Sequence, residues 1–205
     1  MDGVPDFATK PTLRGRLVTL RPFRDGDAEV MAETLSDPEV RRLTGSVEST
    51  AEAERPEVPD DRLRDWYATR GDQPDRLDLA IEDAASGILV GEGGLNEVDL
   101  VEQTCNLRLL VGPQGRDRGL GTEAVGLATA YGIERLGLRR ITLEVFEFNP
   151  RAQRVYEKVG YVVTGVHPDE LVFDGIAVAA LDMAVDAEHW RGFPATPRAN
   201  AAPDG

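Results

Sequence analysis

What this chain lacks narrows its chemistry first. A single cysteine, Cys105, excludes an internal disulfide framework and any cysteine-cluster metal site. The two histidines, His167 and His189, stand far apart and offer no paired metal ligands. Both are expected to be structural or solvated. Cys105, between Thr104 and Asn106 in an expected strand, reads as a small buried hydrophobe. No apolar run approaches membrane-spanning length, and Met1 to Lys10 carries Asp2 and Asp6 where a signal peptide needs an apolar stretch. The expectation is a soluble, cytoplasmic protein with no membrane partner and no metal. Basic residues are scarce too: 23 Lys+Arg stand against 37 Asp+Glu, a formal charge of −14. Such a surface repels phosphate backbones and so argues against nucleic acid. It favours the approach of cationic small molecules or basic peptides.

A length of 205 residues suits one domain with a sizeable core. Residues 1–12 and 191–205 are short of large apolar residues and are expected to be flexible, leaving 13–190 as the domain. Within it, Leu17 to Pro22 reads as a strand and Asp25 to Leu35 as a helix, with Asp37-Pro38 as punctuation. Ser46 to Asp61 is acidic and the least core-like interior segment, and Asp60 to Thr69 is helical in spacing. Leu77 to Glu82 and Gly87 to Asn96 form an expected hairpin, followed by a strand at Asn106 to Val111. Longer helices then alternate with strands. Gly119 to Leu136 is a helix stopped by Gly137, and Ile141 to Phe146 a strand. The helix from Asn149 to Val159 has Asn149 as cap, Pro150 at its first position and Gly160 past its end. Tyr161 to Val166 and Leu171 to Val185 supply the last strands. The order implies an α+β protein with a mixed central sheet, antiparallel first and with one parallel βαβ unit later.

The segment from Leu109 to Ala124 places a Gly-rich, Arg-flanked turn, Gln114-Gly-Arg-Asp-Arg-Gly-Leu-Gly-Thr122, between a strand and a helix. Backbone N–H groups at a helix start point at an anion, and the helix dipole favours negative charge there. Gly119 and Gly121 remove Cβ atoms from the approach, and Arg116 and Arg118 add charged donors. An ordinary turn with solvated arginines is the plain alternative. Gly119 to Ala124 also fits a loose dinucleotide fingerprint, with Glu144 or Glu147 placed for a ribose. Against that stand the long charged link before the glycines, the preceding antiparallel strands and the shortage of βαβ units after it.

Two ordered motifs then resemble the GNAT superfamily of acyl-CoA N-acyltransferases. Arg116-Asp-Arg-Gly-Leu-Gly121 is similar to the family's Q/R-x-x-G-x-G/A acyl-CoA loop, between the fourth strand and the third helix. Asn149 to Tyr161 resembles the N-x-x-[SA]-x-x-x-[YF]-E-K-x-G-[FY] segment of the ribosomal-protein N-acetyltransferase-like branch. The resemblance covers about Leu13 to Ala187 and is strongest from Asn106 to Gly165. It implies a GNAT fold of about seven strands and about four helices, splayed between strands four and five. Acetyl-CoA is the implied co-substrate and a primary amine the acceptor: a small cationic amine, an antibiotic or a protein N-terminus. The family arrangement implies that the backbone of Leu109, Leu110 and Val111 pairs with the pantetheine. A bulge there would present an N–H to the thioester oxygen. The loop Arg116, Asp117, Arg118, Gly119, Leu120, Gly121 and Thr122 would hold the pyrophosphate, and Asn149 would touch the cofactor arm.

The implied chemistry is direct attack of a neutral amine on the thioester. Tyr156 is the candidate acid for the departing thiolate. A Glu common in this branch on the fourth strand is replaced by Asn106, so Glu92, Glu97 and Glu147 become the candidate bases, each also readable as a solvated carboxylate. Ser46 to Asp61 falls where the family places substrate-covering helices, and its acidity suits a cationic amine. Without the usual Glu, a non-catalytic acyl-CoA-binding sensor of the same fold is a second reading, and a longer donor such as succinyl-CoA a third. A homodimer is compatible with all of them.

Overall fold

The computed structural model of the chain describes residues 6–56 and 61–193. Among these, eight strands form one sheet: β1 (Leu13–Arg14), β2 (Val18–Arg21), β3 (Leu77–Asp83), β4 (Leu89–Asp99), β5 (Thr104–Val111), β6 (Arg140–Phe146), β7 (Val162–Phe173) and β8 (Ile176–Asp186). Six α-helices accompany them: α1 (Asp27–Leu35), α2 (Pro38–Leu43), α3 (Thr50–Ala53), α4 (Asp61–Ala68), α5 (Leu120–Ala130) and α6 (Pro150–Val159). The spatial order is β1-β2-β3-β4-β5-β6-β8-β7, with β5–β6 the parallel neighbours.

Alternation along the strands assigns the faces. Leu79 and Ile81 of β3, Leu107 of β5 and Ile141, Leu143 and Val145 of β6 join Ala124, Leu127 and Ala128 of α5 and Val159 of α6 in the main core. Ala80 and Leu89 point the other way, onto Met31 of α1 and Tyr67 of α4. A third cluster seats Val47 and Ala53 on Phe173 and Val178. The helices after β5 and β6 therefore cover one face, and the helices between β2 and β3 the other.

The sheet has one strand more than expected, because two-residue β1 is too short to leave a periodic signal. The expected splay between strands four and five accordingly lies between β5 and β6. The two extra helices have local causes. Asp37-Pro38 is a helix start rather than a stop: the Asp37 side chain accepts the Val40 N–H at 2.9 Å, with Pro38 at the first position. Ser49 caps α3 in the same way, through the Glu52 N–H. Part of the acidic segment is thus core, with Val47 and Ala53 buried, while residues 57–60 lie outside the described ones. The expected helix to Leu136 is α-helical to Ala130 and closes in one π turn, Tyr131–Arg135. The expected strand from Leu171 to Val185 is interrupted. Asp174 and Gly175 both take positive φ, 49° and 76°, and make the two-residue turn of the β7–β8 hairpin.

The domain also extends past both expected borders. Phe7 is buried in the main core, and the Lys10 ammonium donates to the carbonyls of Phe7, Gln73 and Arg76, so the chain is anchored before residue 13. Beyond 190, Phe193 packs on α5, and a Cβ added at Gly126 would lie 2.4 Å from its ring. Cys105 is buried as expected, and burial pushes its thiol up to about 12.

Glu123, in the first turn of α5, is the least expected core residue. It is 5% exposed, and its carboxylate accepts the backbone N–H groups of Arg16, Leu17 and Val18 at 3.0, 2.5 and 2.8 Å. The turn before β2 is thereby fastened to the start of α5. Glu123→Ala takes the acceptor from three backbone donors, the Val18 N–H fully buried and the other two partly, and is expected to cost about 3 kcal/mol, from bonds to a charged acceptor of about 1.5–3 kcal/mol each. Denaturant unfolding measures it, and a loss under about 0.5 kcal/mol contradicts this role.

Candidate active site

The site begins where one ladder stops. β5 pairs with β6 through Thr104↔Arg140, Cys105↔Ile141 and Asn106↔Thr142, and the pairing ends there. From Leu107 to Val111 the strand stays in register with β4 but has no sheet partner on its β6 side among the described residues. Backbone polar groups without a ladder need another partner. The gap opens into a cavity of about 670 Å³, within the range of small-molecule sites. The expected bulge at Leu109 to Val111 is absent. The register runs unbroken from Gly91↔Val111 to Asn96↔Asn106 and shifts only beyond it, before Asp99. Three glycines in β4 (Gly91, Gly93, Gly94) let this strand lie flat against its neighbours; a Cβ at Gly91 would sit 2.1 Å from the Leu110 carbonyl oxygen.

Most of the expected residues meet at this cavity. Leu109, Leu110, Val111, Arg116, Asp117, Gly119, Gly121, Thr122, Asn149 and Tyr156 all line it. Gly119 starts α5 with φ 81° and no side-chain cap, so the first-turn N–H groups face the opening unclaimed by a side chain. A Cβ at Gly121 would contact only Leu109 and Val111 at 3.6 and 3.7 Å and otherwise project into the open space. Asn149 is the side-chain cap of α6, accepting from the Ala152 N–H at 3.1 Å. Two of the expected residues keep their side chains away from the cavity. Leu120 is 2% exposed and belongs to the main core, because it starts the buried face of α5. Arg118 turns away to Asp83 at 2.8 Å, where that carboxylate also accepts from Ala85 and Ser86. These three donors hold the Asp83 carboxyl below its ordinary range.

Arg116 is engaged as well. Its guanidinium donates to Asp37 at 2.7 Å, to Glu39 at 2.5 Å and to the Val111 carbonyl at 3.3 Å. Arg151, from the first turn of α6, donates to the other oxygen of Glu39 at 2.8 Å. Single-sequence reading had no signal for Asp37, Glu39 or Asp83 in this role, since each bond joins segments at least 35 residues apart.

Titratable groups sort themselves by environment. Tyr156 is 6% exposed, its ring tilted against Tyr161 at 6.0 Å between centroids. Burial alone acts on its hydroxyl, with no hydrogen bond to it among the described residues, whereas that of Tyr161 meets Thr129 at 2.9 Å. Burial pushes Tyr156 up to about 12, so it stays protonated near neutrality. Of the candidate bases, Glu147 caps the Ala179 N–H at 3.0 Å and is not a cavity residue. Glu97 lines the cavity but is exposed, at a φ of 52°. Glu92 lines it on β4 and accepts the Tyr67 hydroxyl at 2.9 Å. Burial raises its carboxyl above the ordinary value against the opposing pull of the Tyr67 bond. Asn106 donates to Asn96 at 3.2 Å and offers no base. Among the described residues the acids of the cavity are Asp78, Glu92, Glu97, Asp117 and Glu144, and none of them comes from the acidic segment that begins at Ser46. Among the described residues no group of three or more His, Cys, Asp or Glu is placed to hold a metal, and no helix is long and apolar enough to cross a membrane.

This geometry has known counterparts. Residues 17–162 match the acetyltransferase (GNAT) domain family. The chain is similar to spermidine N(1)-acetyltransferase of Vibrio cholerae, 25% identical over 122 residues, 60% of this chain and 70% of that protein. It is 28% identical to the Escherichia coli K12 spermidine N(1)-acetyltransferase over 103 residues, 50% of this chain and 55% of that one. Its fold resembles the crystal structure of the Vibrio cholerae spermidine N-acetyltransferase in complex with CoA and spermine. There the TM-score is 0.72 at 21% identity, covering 84% of this chain and 97% of that one. With two thirds of its length matching the family, and with the unpaired β5 edge and uncapped α5 start in place, the chain belongs to the GNAT acetyltransferases, acyl-CoA-dependent N-acyltransferases with acetyl-CoA as co-substrate.

Proposed function

We propose that the chain acetylates a primary amine of a small cationic acceptor, a polyamine being the first candidate, by direct attack within a ternary complex. The observation that carries this reading is one cavity that holds an unpaired strand edge, a protonated tyrosine without a partner and a partly buried carboxylate. The names of the relatives, both spermidine N(1)-acetyltransferases, support the acceptor class. The Asn149 to Tyr161 segment supports placement with the ribosomal-protein N-acetyltransferase-like branch.

The residues fit the donor. The free edge of Leu109 to Val111 would pair with the pantetheine arm, and the first-turn N–H groups of α5, with Gly119 and Gly121, would take the pyrophosphate. Asn149 already spends its side-chain oxygen on the cap of α6, which leaves its amide nitrogen for the arm. Acetyl-CoA supplies the activated thioester. On the acceptor side, Glu92 takes a proton from the ammonium, and the freed amine nitrogen forms its bond to the acyl carbon. As the carbon–sulfur bond breaks, Tyr156 gives its hydroxyl proton to the sulfur, and the nitrogen's second proton restores the tyrosine hydroxyl as the amide forms. The cavity lining holds five acids and five cations (Arg108, Arg116, Arg151, Arg154 and Lys158), so a second positive charge on the acceptor would be met locally, by Asp78 of β3 and Glu92 and Glu97 of β4.

Thiol release from acetyl-CoA in the presence of spermidine, aminoglycosides or basic peptides tests the reading, with succinyl-CoA as a second donor. CoA binding without thiol release on any amine would make the chain a binding module instead. Tyr156→Phe is expected to lower kcat about 100-fold with CoA affinity within about twofold of wild type, the range for loss of a general acid. Equal losses in both would reduce Tyr156 to packing. Glu92 must be ionised to act, so its raised carboxyl moves the rising limb of kcat/KM toward higher pH than an ordinary glutamate gives. Glu92→Gln should abolish that limb and most of the activity, and an unchanged limb assigns the proton to another group. For a cationic acceptor KM rises with ionic strength, and a KM indifferent to salt contradicts the charge argument.

A further inference from the structure

The side chain of Glu39 spans the two arms of the splayed sheet. One oxygen receives Arg116, which follows β5, and the other receives Arg151, in the first turn of the helix that follows β6. Asp37 adds a second carboxylate to Arg116, and Asp117 lies 3.8 Å from Arg151. Both arginines line the cavity beside the uncapped start of α5. A carboxylate therefore sits between two of the cations that line the cavity, in a protein with a formal charge of −14. Glu39 belongs to α2, and three other residues of that helix and its end, Val40, Leu43 and Thr44, form part of the cavity wall.

We propose that Glu39 is an internal stand-in for the donor's diphosphate, and that its displacement couples donor binding to the acceptor side of the cavity. The inference rests on the acyl-CoA reading of the α5 cradle. Its physical basis is the difference between the two anions. Glu39 is 47% exposed against 12% for Arg116 and 35% for Arg151, so water can take over the released carboxylate while the guanidinium groups stay beside the cavity. A diphosphate offers more oxygens and more charge to the same two guanidinium groups, which bind phosphate in paired, directional bonds. Once Arg116 and Arg151 turn to the diphosphate, α2 loses the strap to the far arm and keeps only its local packing. The wall formed by Val40, Leu43 and Thr44 is then free to adjust to the amine. Donor binding precedes acceptor binding for this reason, and by reciprocity the strapped state resists the donor.

The test uses the full chain and CoA itself. Calorimetric titration of CoA compares wild type with Glu39→Gln and Glu39→Ala, and amide hydrogen exchange follows residues 38–44 with and without CoA. Both variants should bind CoA about fivefold more tightly or better, the lower end of ordinary coupling. In wild type CoA should speed exchange across 38–44, and in the variants exchange should be fast before CoA is added. Asp117→Asn removes a charge from the same rim without touching α2, so it should leave exchange at 38–44 as in wild type. Arg151→Gln should weaken CoA binding while still releasing α2. CoA affinity in Glu39→Gln at or below that of wild type, or exchange at 38–44 indifferent to CoA, overturns the strap and leaves the cradle standing. Failure of wild type to bind CoA at all overturns the cradle, and the strap with it.

Discussion

The site depends on a hydrogen-bond ladder that ends early. Parallel pairing of β5 and β6 runs through three residue pairs and then stops at Asn106↔Thr142. Leu107, Leu143 and Val145 of the two arms share the main core, with Leu109 and Val111 packed against it, while β5 stays in register with β4 and β6 with β8. Each arm is satisfied by its own antiparallel neighbour, so neither needs the other beyond the first turn of the V. The unpaired edge that remains is a row of backbone donors and acceptors in a protein-walled cleft, which is the local requirement for binding an extended amide-containing chain.

A second constraint is electrostatic. Four carboxylates hold the parts that frame the opening. Glu123 fixes the start of α5 to the turn before β2, Asp83 holds Arg118, and Asp37 and Glu39 hold Arg116. Their burial separates them by role. Glu123 and Asp83 are nearly inaccessible and act as fixed parts, whereas Glu39 is half exposed and exchangeable. The arginines that looked like free anion donors in the sequence are therefore spoken for. In the proposed site the backbone N–H groups of the α5 start, which no side chain caps, would be the permanent part of the cradle.

The sequence disclosed features written in local punctuation. The α6 boundaries, with Asn149, Pro150 and Gly160, and the glycine-led start of α5 were legible because caps and left-handed glycines are decided within a few residues. The order of strands and the parallel unit followed from that. Less local facts were not legible. Asp37-Pro38 is the same dipeptide whether it stops one helix or starts the next, and the Asp174-Gly175 turn was masked by apolar residues on both sides. The pairing of Glu39 with Arg116 and Arg151 spans 77 and 112 positions, and no single-sequence pattern encodes it. Glu92 was one of three equal candidates until burial and the Tyr67 bond set it apart from Glu97 and Glu147.

A crystal structure with CoA bound tests most directly whether the free edge of β5 and the start of α5 together form the acyl-CoA site. The pantetheine arm is expected between β5 and β6, hydrogen-bonded to the backbone of Leu109 to Val111, with the diphosphate at Gly119 to Thr122 and the sulfur facing Tyr156. A donor bound elsewhere, or one lying in the gap without backbone bonds to β5, would contradict it.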